Sequence, residues 1–224
     1  SSPVWSTSEE LFEPFDDLGK WSPFTFDGID THSRYRILKN QGESCLEMTT
    51  SGGASAMILN ERFDVYEFPI LSWRWKVDDI YKTGDYSRKK GDDYPARLYV
   101  MFAYDPETAG WAKQVKYGAA KLLYGEYPPD STLNYIWVNR TDAPEVITNV
   151  YVDQAKMIPV ERGGENLNKW RTYRVNILAD YKRAFGAEPS RTATLAVMID
   201  SDNTGETGRS CLDFVRLSGD ERPQ

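Results

Sequence analysis

The sequence predicts an all-β protein, two antiparallel sheets packed face to face in a jelly-roll-like sandwich. Apolar and polar residues alternate with a period of two in one run after another. Clusters of Gly, Pro, Asn and Asp bound those runs, as in "TSGGAS", "YKTGDYSRKKGDD", "GEYPPDS", "ERGGEN" and "DNTGETG". Strands do not alternate with the helical stretches of roughly 10–15 residues that a parallel α/β sheet needs.

The alternating runs, in chain order, are Tyr35–Leu38, Ser44–Thr49, Ser55–Leu59, Ile70–Val77, Tyr94–Tyr104, Leu133–Val138, Ala155–Val160, Thr172–Ile177, Thr192–Ile199 and Cys211–Leu217. One segment departs from the pattern. In "DPETAGWAKQVKYGAAKLLYG", Pro106 follows Asp105 as a helix start, and Trp111, Val115, Ala119 and Leu122 recur on one face. This spacing predicts an amphipathic helix over about 106–124, inserted between two strands. A shorter helical turn is expected in "DYKRAFG", with Asp180 as its cap and Gly186 as its stop, and another in "SEELF".

A chain of 224 residues buries one substantial core, and no break in composition divides it, so a single domain over 1–224 is expected, residues 1–20 forming a partly irregular N-terminal arm. The net charge of −7, with no basic stripe, argues against nucleic acid as a partner. No apolar run approaches the roughly 18 residues that cross a bilayer. The start at Ser1 without methionine is the start expected of a mature periplasmic or secreted protein after removal of a leader. Cys45 and Cys211 lie far apart and read as two separate buried thiols. A bridge between them would close a loop worth about 5 kcal/mol in the chain-entropy account.

Strand parity then selects candidate binding residues. In "LSWRWKV", Leu71, Trp73, Trp75 and Val77 turn inward, leaving Ser72, Arg74 and Lys76 outside. In "DYPARLYVMF", Tyr94, Ala96, Leu98, Val100 and Phe102 fill the core, with Asp93, Arg97, Tyr99 and Met101 opposite. In "LNYIWVN", where both sets are largely apolar, Ile136 and Val138 are taken inward and Tyr135 and Trp137 outward. Placed in one sheet, Arg74, Lys76, Asp93, Arg97, Tyr99, Tyr135 and Trp137 make a glycan-sized face. Aromatic plates suit sugar C–H groups, and guanidinium suits hydroxyls or carboxylates.

The loop "IDSDNTGETG" gathers Asp200, Asp202 and Asn203, oxygen donors suited to a structural Ca²⁺, with Asp213 on the last strand as a further candidate. It is not an EF-hand, because Cys211 stands where the bidentate Glu belongs. Catalytic patterns are thin. His32 is the only histidine, and no nucleophile elbow, phosphate loop or zinc spacing occurs.

The blocks "SWRWKV", "KKGDDYPARLYVMF", "LNYIWVN", "DYKRAFG" and "MIDSDNTG" resemble those of a bacterial family known as domain of unknown function 3047, over about Trp21 to Arg216. The resemblance implies exported proteins with a fold similar to jelly-roll carbohydrate-binding modules, and it brings no established activity. The expected function is a non-catalytic domain that binds a glycan or a similar hydroxyl- or carboxylate-rich ligand. The alternatives are an accessory protein-interaction subunit of an envelope or membrane complex, and then a polysaccharide lyase or hydrolase.

Overall fold

Alternation builds both sheets. The structure is a computed structural model and describes residues 10–40, 43–105, 107 and 128–219; the helix expected at about 106–124 lies outside the described residues. Six strands form a back sheet: β1 (Glu10–Glu13), β3 (Arg34–Asn40), β4 (Glu43–Ser51), β7 (Ile70–Val77), β12 (Arg171–Asn176) and β14 (Thr207–Ser218). Their order is β12-β7-β14-β4-β3, with β1 also paired to β14.

Eight strands form a front sheet: β2 (Trp21–Phe24), β5 (Ala54–Leu59), β6 (Phe63–Asp64), β8 (Arg97–Phe102), β9 (Ser131–Val138), β10 (Ile147–Thr148), β11 (Ala155–Arg162) and β13 (Thr192–Asp200). The order is β10-β11-β9-β8-β13-β5-β2, with β6 also on β13. Pairing is antiparallel throughout except between β9 and β11, which run parallel. The jelly-roll-like, two-sheet sandwich expected from the sequence is therefore the fold observed. Four short strands, β1, β2, β6 and β10, add to the expected set. β1 takes up most of the "SEELF" stretch read as a helical turn, because Leu11 and Glu13 point inward while Glu10 and Phe12 face out.

The core lies between the sheets. Leu71, Trp73, Trp75 and Val77 enter it from β7, and Leu98, Val100, Phe102, Leu195, Val197 and Ile199 from β8 and β13. Each such side chain contributes roughly 1.5–3 kcal/mol relative to exposure. Trp73 is the hub, its ring centroid 5.2 Å from Tyr135, 5.3 Å from Tyr173 and 5.5 Å from Trp75. Gly208 on β14 is required by close approach. A Cβ at that position would fall on the buried Tyr81 hydroxyl, inside van der Waals contact.

Helix α1 (Ile177–Phe185) follows β12 directly. Asn176 caps it by accepting from the Ala179 amide at 3.0 Å, and Gly186 ends it in the left-handed conformation at φ 68°. The helix thus begins before Asp180, the residue the sequence suggested as its cap. Asp180 instead accepts from the Tyr135 hydroxyl at 2.9 Å and from Arg183.

The expectation of two separate thiols is corrected. Cys45 and Cys211 form a disulfide, Cα atoms 5.8 Å apart. They lie on neighbouring strands β4 and β14, where the Glu47↔Cys211 and Leu46↔Leu212 register brings them side by side on the outer face of the back sheet. Their separation of 166 residues conceals that proximity in the sequence.

Candidate ligand-binding cleft

The face predicted from parity divides into three places. Arg74 and Lys76 do point outward, but from the back sheet. There they stack on Trp170 with charge-to-ring distances of 4.9 and 5.2 Å, and Arg74 pairs with Asp213 at 3.1 Å. Asp213 is thereby separated from the Asp200 loop, with which the sequence reading grouped it as a metal ligand. Tyr135 and Trp137 lie in the interior, correcting their predicted outward orientation. The physical reason is that β9 is buried on both faces. Ile136 and Val138 turn to the outer side, where Tyr94, Ala143, Ile147 and Met157 cover them in a second small core. Only Arg97 and Tyr99 of the predicted face, with Asp93 behind them, sit on the outer side of the front sheet.

Arg97 and Tyr99 line the floor and polar end of a cleft of about 410 Å³. Register explains how. Arg97 on β8 lies opposite Met198 on β13, and Tyr99 lies between Asn134 on β9 and Ala196 on β13. The outward-facing Ala54, Tyr99, Asn134 and Met198 make a low floor across four neighbouring strands. Phe26 and Ile29, from the loop after β2, form one wall, and Asn149, Tyr151 and Ala155, around the β10–β11 turn, form the other. Tyr151 is half exposed, and its hydroxyl donates to Asn203 Oδ1 at 2.9 Å, tying that wall to the polar end.

The polar end is assembled by two loops that antiparallel pairing brings together, "GDDY" before β8 and "DSDN" after β13. Arg97 is only 5% exposed. Its Nη2 donates to the Asp92 carbonyl at 2.9 Å and its Nη1 to the Tyr99 hydroxyl at 2.8 Å, while Nε lies 3.1 Å from Asp200 Oδ1. The Tyr94 ring lies under the guanidinium at 4.4 Å; Tyr94 is thus buried, as expected, but on the outer side of the sheet rather than between the sheets. Pro95 follows Tyr94, and regular pairing begins only at Arg97, so the alternation does not extend back to Tyr94.

Asp92 and Asp200 pair with this guanidinium, and Asp93 and the exposed Asp202 lie close by. Asp93 accepts from the backbone amides of Asn203 and Thr204 at 3.0 and 2.6 Å and from Asn203 Nδ2 at 2.9 Å. Asp200 accepts from the Tyr94 amide at 3.0 Å, and Asp92 from Asn149 Nδ2 at 2.9 Å. Burial opposes charge on Arg97, but Asp200, Tyr99, Asp92 and Tyr94 outweigh it and hold the guanidinium ionised, well above its ordinary pKa. Burial pushes the Asp200 carboxyl well above the usual carboxylate range, Arg97 opposing and Asp93 reinforcing the shift. Asp202 is raised by its own partial burial and by Asp93. Burial also lifts the Tyr99 phenol to about 12 against the pull of Arg97.

One oxygen from each of Asp93, Asp200 and Asp202 falls within 4.8 Å of the others, so the triad has the spacing to hold a metal ion. Its all-oxygen chemistry suits a hard cation. Of the metal candidates from the sequence only Asp200 and Asp202 belong to this group, and Asp93, read there as a ligand-binding residue, completes it; Asn203 has its amide engaged by Asp93, Asp202 and Tyr151 and acts as a brace. Parity did not identify Phe26, Asn134, Asn149 and Tyr151 as cleft residues. Asn134 carried the one available signal, as the sole polar member of the set it forms with Ile136 and Val138.

The family model described as "Protein of unknown function (DUF3047)" matches residues 19–216. No curated protein matches the chain. Among solved structures, the chain is similar to the family 11 carbohydrate-binding module of cellulase Lic26A-Cel5E of Clostridium thermocellum, with 10% identity, 96% of each chain covered and a TM-score of 0.45. It is also similar to the carbohydrate recognition domain of Emp47p, with 10% identity, 96% of each chain and a TM-score of 0.47. A laminarinase from Flavobacterium sp. UMI-01 shows 11% identity over 93% of this chain and 98% of the other, with a TM-score of 0.46. Likeness at this level assigns neither ligand nor activity to the chain.

Proposed function

The chain belongs to the DUF3047 family, and on that footing we propose that it is a non-catalytic binding domain that takes a glycan, or a similar hydroxyl- or carboxylate-rich ligand, in the cleft of the front sheet. The observation that carries this reading is the cleft itself. Its largely apolar floor, interrupted by Asn134, and ring-bearing walls lead to an end where buried polar groups converge, the combination expected of a small-ligand site. The C–H faces of a sugar would lie over Tyr99, Met198 and the Tyr151 wall, with hydroxyls toward Asp92, Asn134 and Asp202. Arg97 holds the carboxylates in place rather than the ligand. A glycan array on the purified chain, with and without Ca²⁺, tests this; silence toward every sugar in both conditions would end it.

We assign Ca²⁺ to the Asp93, Asp200 and Asp202 group. Three buried aspartates, Asp92, Asp93 and Asp200, and the exposed Asp202 gather near a single guanidinium, so carboxylates outnumber cations here, and a divalent ion would offset the excess. Donors within 4.8 Å of one another fit around an ion whose oxygen ligands stand at roughly 2.3–2.6 Å. Bound at 100 times its dissociation constant, Ca²⁺ adds about 2.7 kcal/mol of stability. For a domain of this size that corresponds to a rise of roughly 5–10 °C in melting midpoint. Thermal melts in Ca²⁺ and in chelator measure it, and Asp202→Asn should abolish most of the difference. Identical midpoints in the two buffers would remove the metal from the account.

The proposed setting is the periplasm or the extracellular space. The Cys45–Cys211 bridge supports it, since disulfides persist in oxidising compartments.

A further inference from the structure

We infer that the cleft selects uncharged, hydroxyl-bearing sugars and turns away sugars that carry carboxylate or sulfate groups. This rests on the cleft being the binding site, and it narrows the ligand from any hydroxyl- or carboxylate-rich molecule to a neutral one.

The first ground is the condition of Arg97, the only cationic side chain lining the cleft among the described residues. Nη1 and Nη2 donate to the Tyr99 hydroxyl and the Asp92 carbonyl, Nε stands 3.1 Å from Asp200 Oδ1, and the side chain is buried, so Asp200 and Asp92 already counter its charge before any ligand enters. Lys89 sits over the Tyr151 ring at 5.0 Å and does not line the cleft.

The second ground is the carboxylates. Asp92, Asp200 and Asp202 line the cleft, with Asp93 packed behind them. A uronate carboxylate entering here would meet like charge in a partly dehydrated site, where repulsion is poorly screened. A divalent ion on the triad still leaves the carboxylates in excess.

The third ground is a set of three polar atoms left without hydrogen-bond partners. Asp92 Oδ1, Asn134 Oδ1 and Arg97 Nε are buried and have no hydrogen-bond partner; Arg97 ion-pairs with both neighbouring carboxylates, Nη2 standing 3.6 Å from Asp92 Oδ1 and Nε 3.1 Å from Asp200 Oδ1, which leaves Asn134 Oδ1, in a residue 2% exposed, with neither bond nor ion pair. All three residues line the cleft. Buried polar atoms are almost always paired, and an exception at the base of a cleft marks where a ligand completes the pairing. Asp92 requires a donor, and the Asn134 carboxamide pairs with a group that donates or accepts. A sugar hydroxyl meets both demands; a carboxylate meets the demand of Asp92 not at all.

Titration calorimetry tests the inference, using the intact chain against neutral gluco-, manno-, galacto- and xylo-oligosaccharides and against oligouronates of matched length, in Ca²⁺ and in chelator. At least one neutral oligomer should bind, with every matched oligouronate weaker by tenfold or more. Asn134→Leu should weaken that binding about tenfold while leaving the melting midpoint unchanged or raised, because it removes an unpaired buried group. A merely structural asparagine would show the reverse. Tyr151→Ala, at the half-exposed wall, should lose affinity without loss of stability. An oligouronate that binds as tightly as its neutral counterpart overturns the selectivity and leaves the cleft a binding site. Absence of binding to every oligomer overturns both readings.

Discussion

Arg97→Met should lower the stability of the domain by about 3–5 kcal/mol, the range expected when one partner of a buried ion pair is removed and the other stays behind. Here the remaining group is larger than a single partner. Asp92 and Asp200, both nearly inaccessible, lose their counter-charge together, and Tyr99 loses the donor that engages its hydroxyl. Methionine preserves much of the arginine volume, so a cavity accounts for little of the loss. Urea and thermal unfolding measure it, and the expected fall in midpoint is roughly 6–20 °C. Adding Asp200→Asn to that background should restore part of the stability, because it withdraws one of the stranded charges. A variant as stable as the parent would show that the carboxylates do not depend on Arg97.

Replacing both cysteines, as Cys45→Ala with Cys211→Ala, is expected to cost about 2–4 kcal/mol and at most about 5 kcal/mol. The upper figure follows from a sequence separation of 166 residues, which leaves the reduced, unfolded chain much more freedom than the bridged one. Both cysteines are buried between neighbouring strands, so alanine removes the cross-link with little change in packing. Calorimetry on the oxidised protein and on the double variant gives the difference. Mass spectrometry after alkylation under native and denaturing conditions provides the independent check. Two alkylatable thiols in protein from an oxidising compartment would show that the bond does not form.

Which faces turn inward was legible wherever one set of alternating residues was plainly apolar. The β7 set Leu71, Trp73, Trp75 and Val77, and the β8 set from Ala96 to Phe102, are buried as alternation requires. Alternation failed on β9, where Tyr135 and Ile136 are both apolar enough for the interior, and a second covering layer allows both faces to be dry. It was also silent about which sheet a strand joins. That is why Arg74, on the back sheet, was grouped with Arg97, on the front. The candidate site suffered most from this silence, because it depends on contacts across 100 or more residues. Asp93 meets Asn203 over a separation of 110, and Arg97 reaches Asp200 only because β8 and β13 are neighbours. Individual letters such as the paired aspartates of "GDDY" signalled polarity; their convergence needed the strand order.

The position of β13 and β14 carries a consequence for how the chain reaches this state. Both are central strands, β13 between β8 and β5 and β14 between β7 and β4, and both come from the last third of the sequence. A nascent polypeptide ending before residue 192 would hold two incomplete half-sheets, each with a gap where its middle ladder belongs. Such gaps expose unpaired backbone edges that recruit other chains. Because half of the strand pairings among the described residues wait for β13 or β14, assembly should be slow and should be completed only after synthesis has passed residue 218. Partial translation products, or truncations ahead of β14, should aggregate rather than persist as smaller folded units.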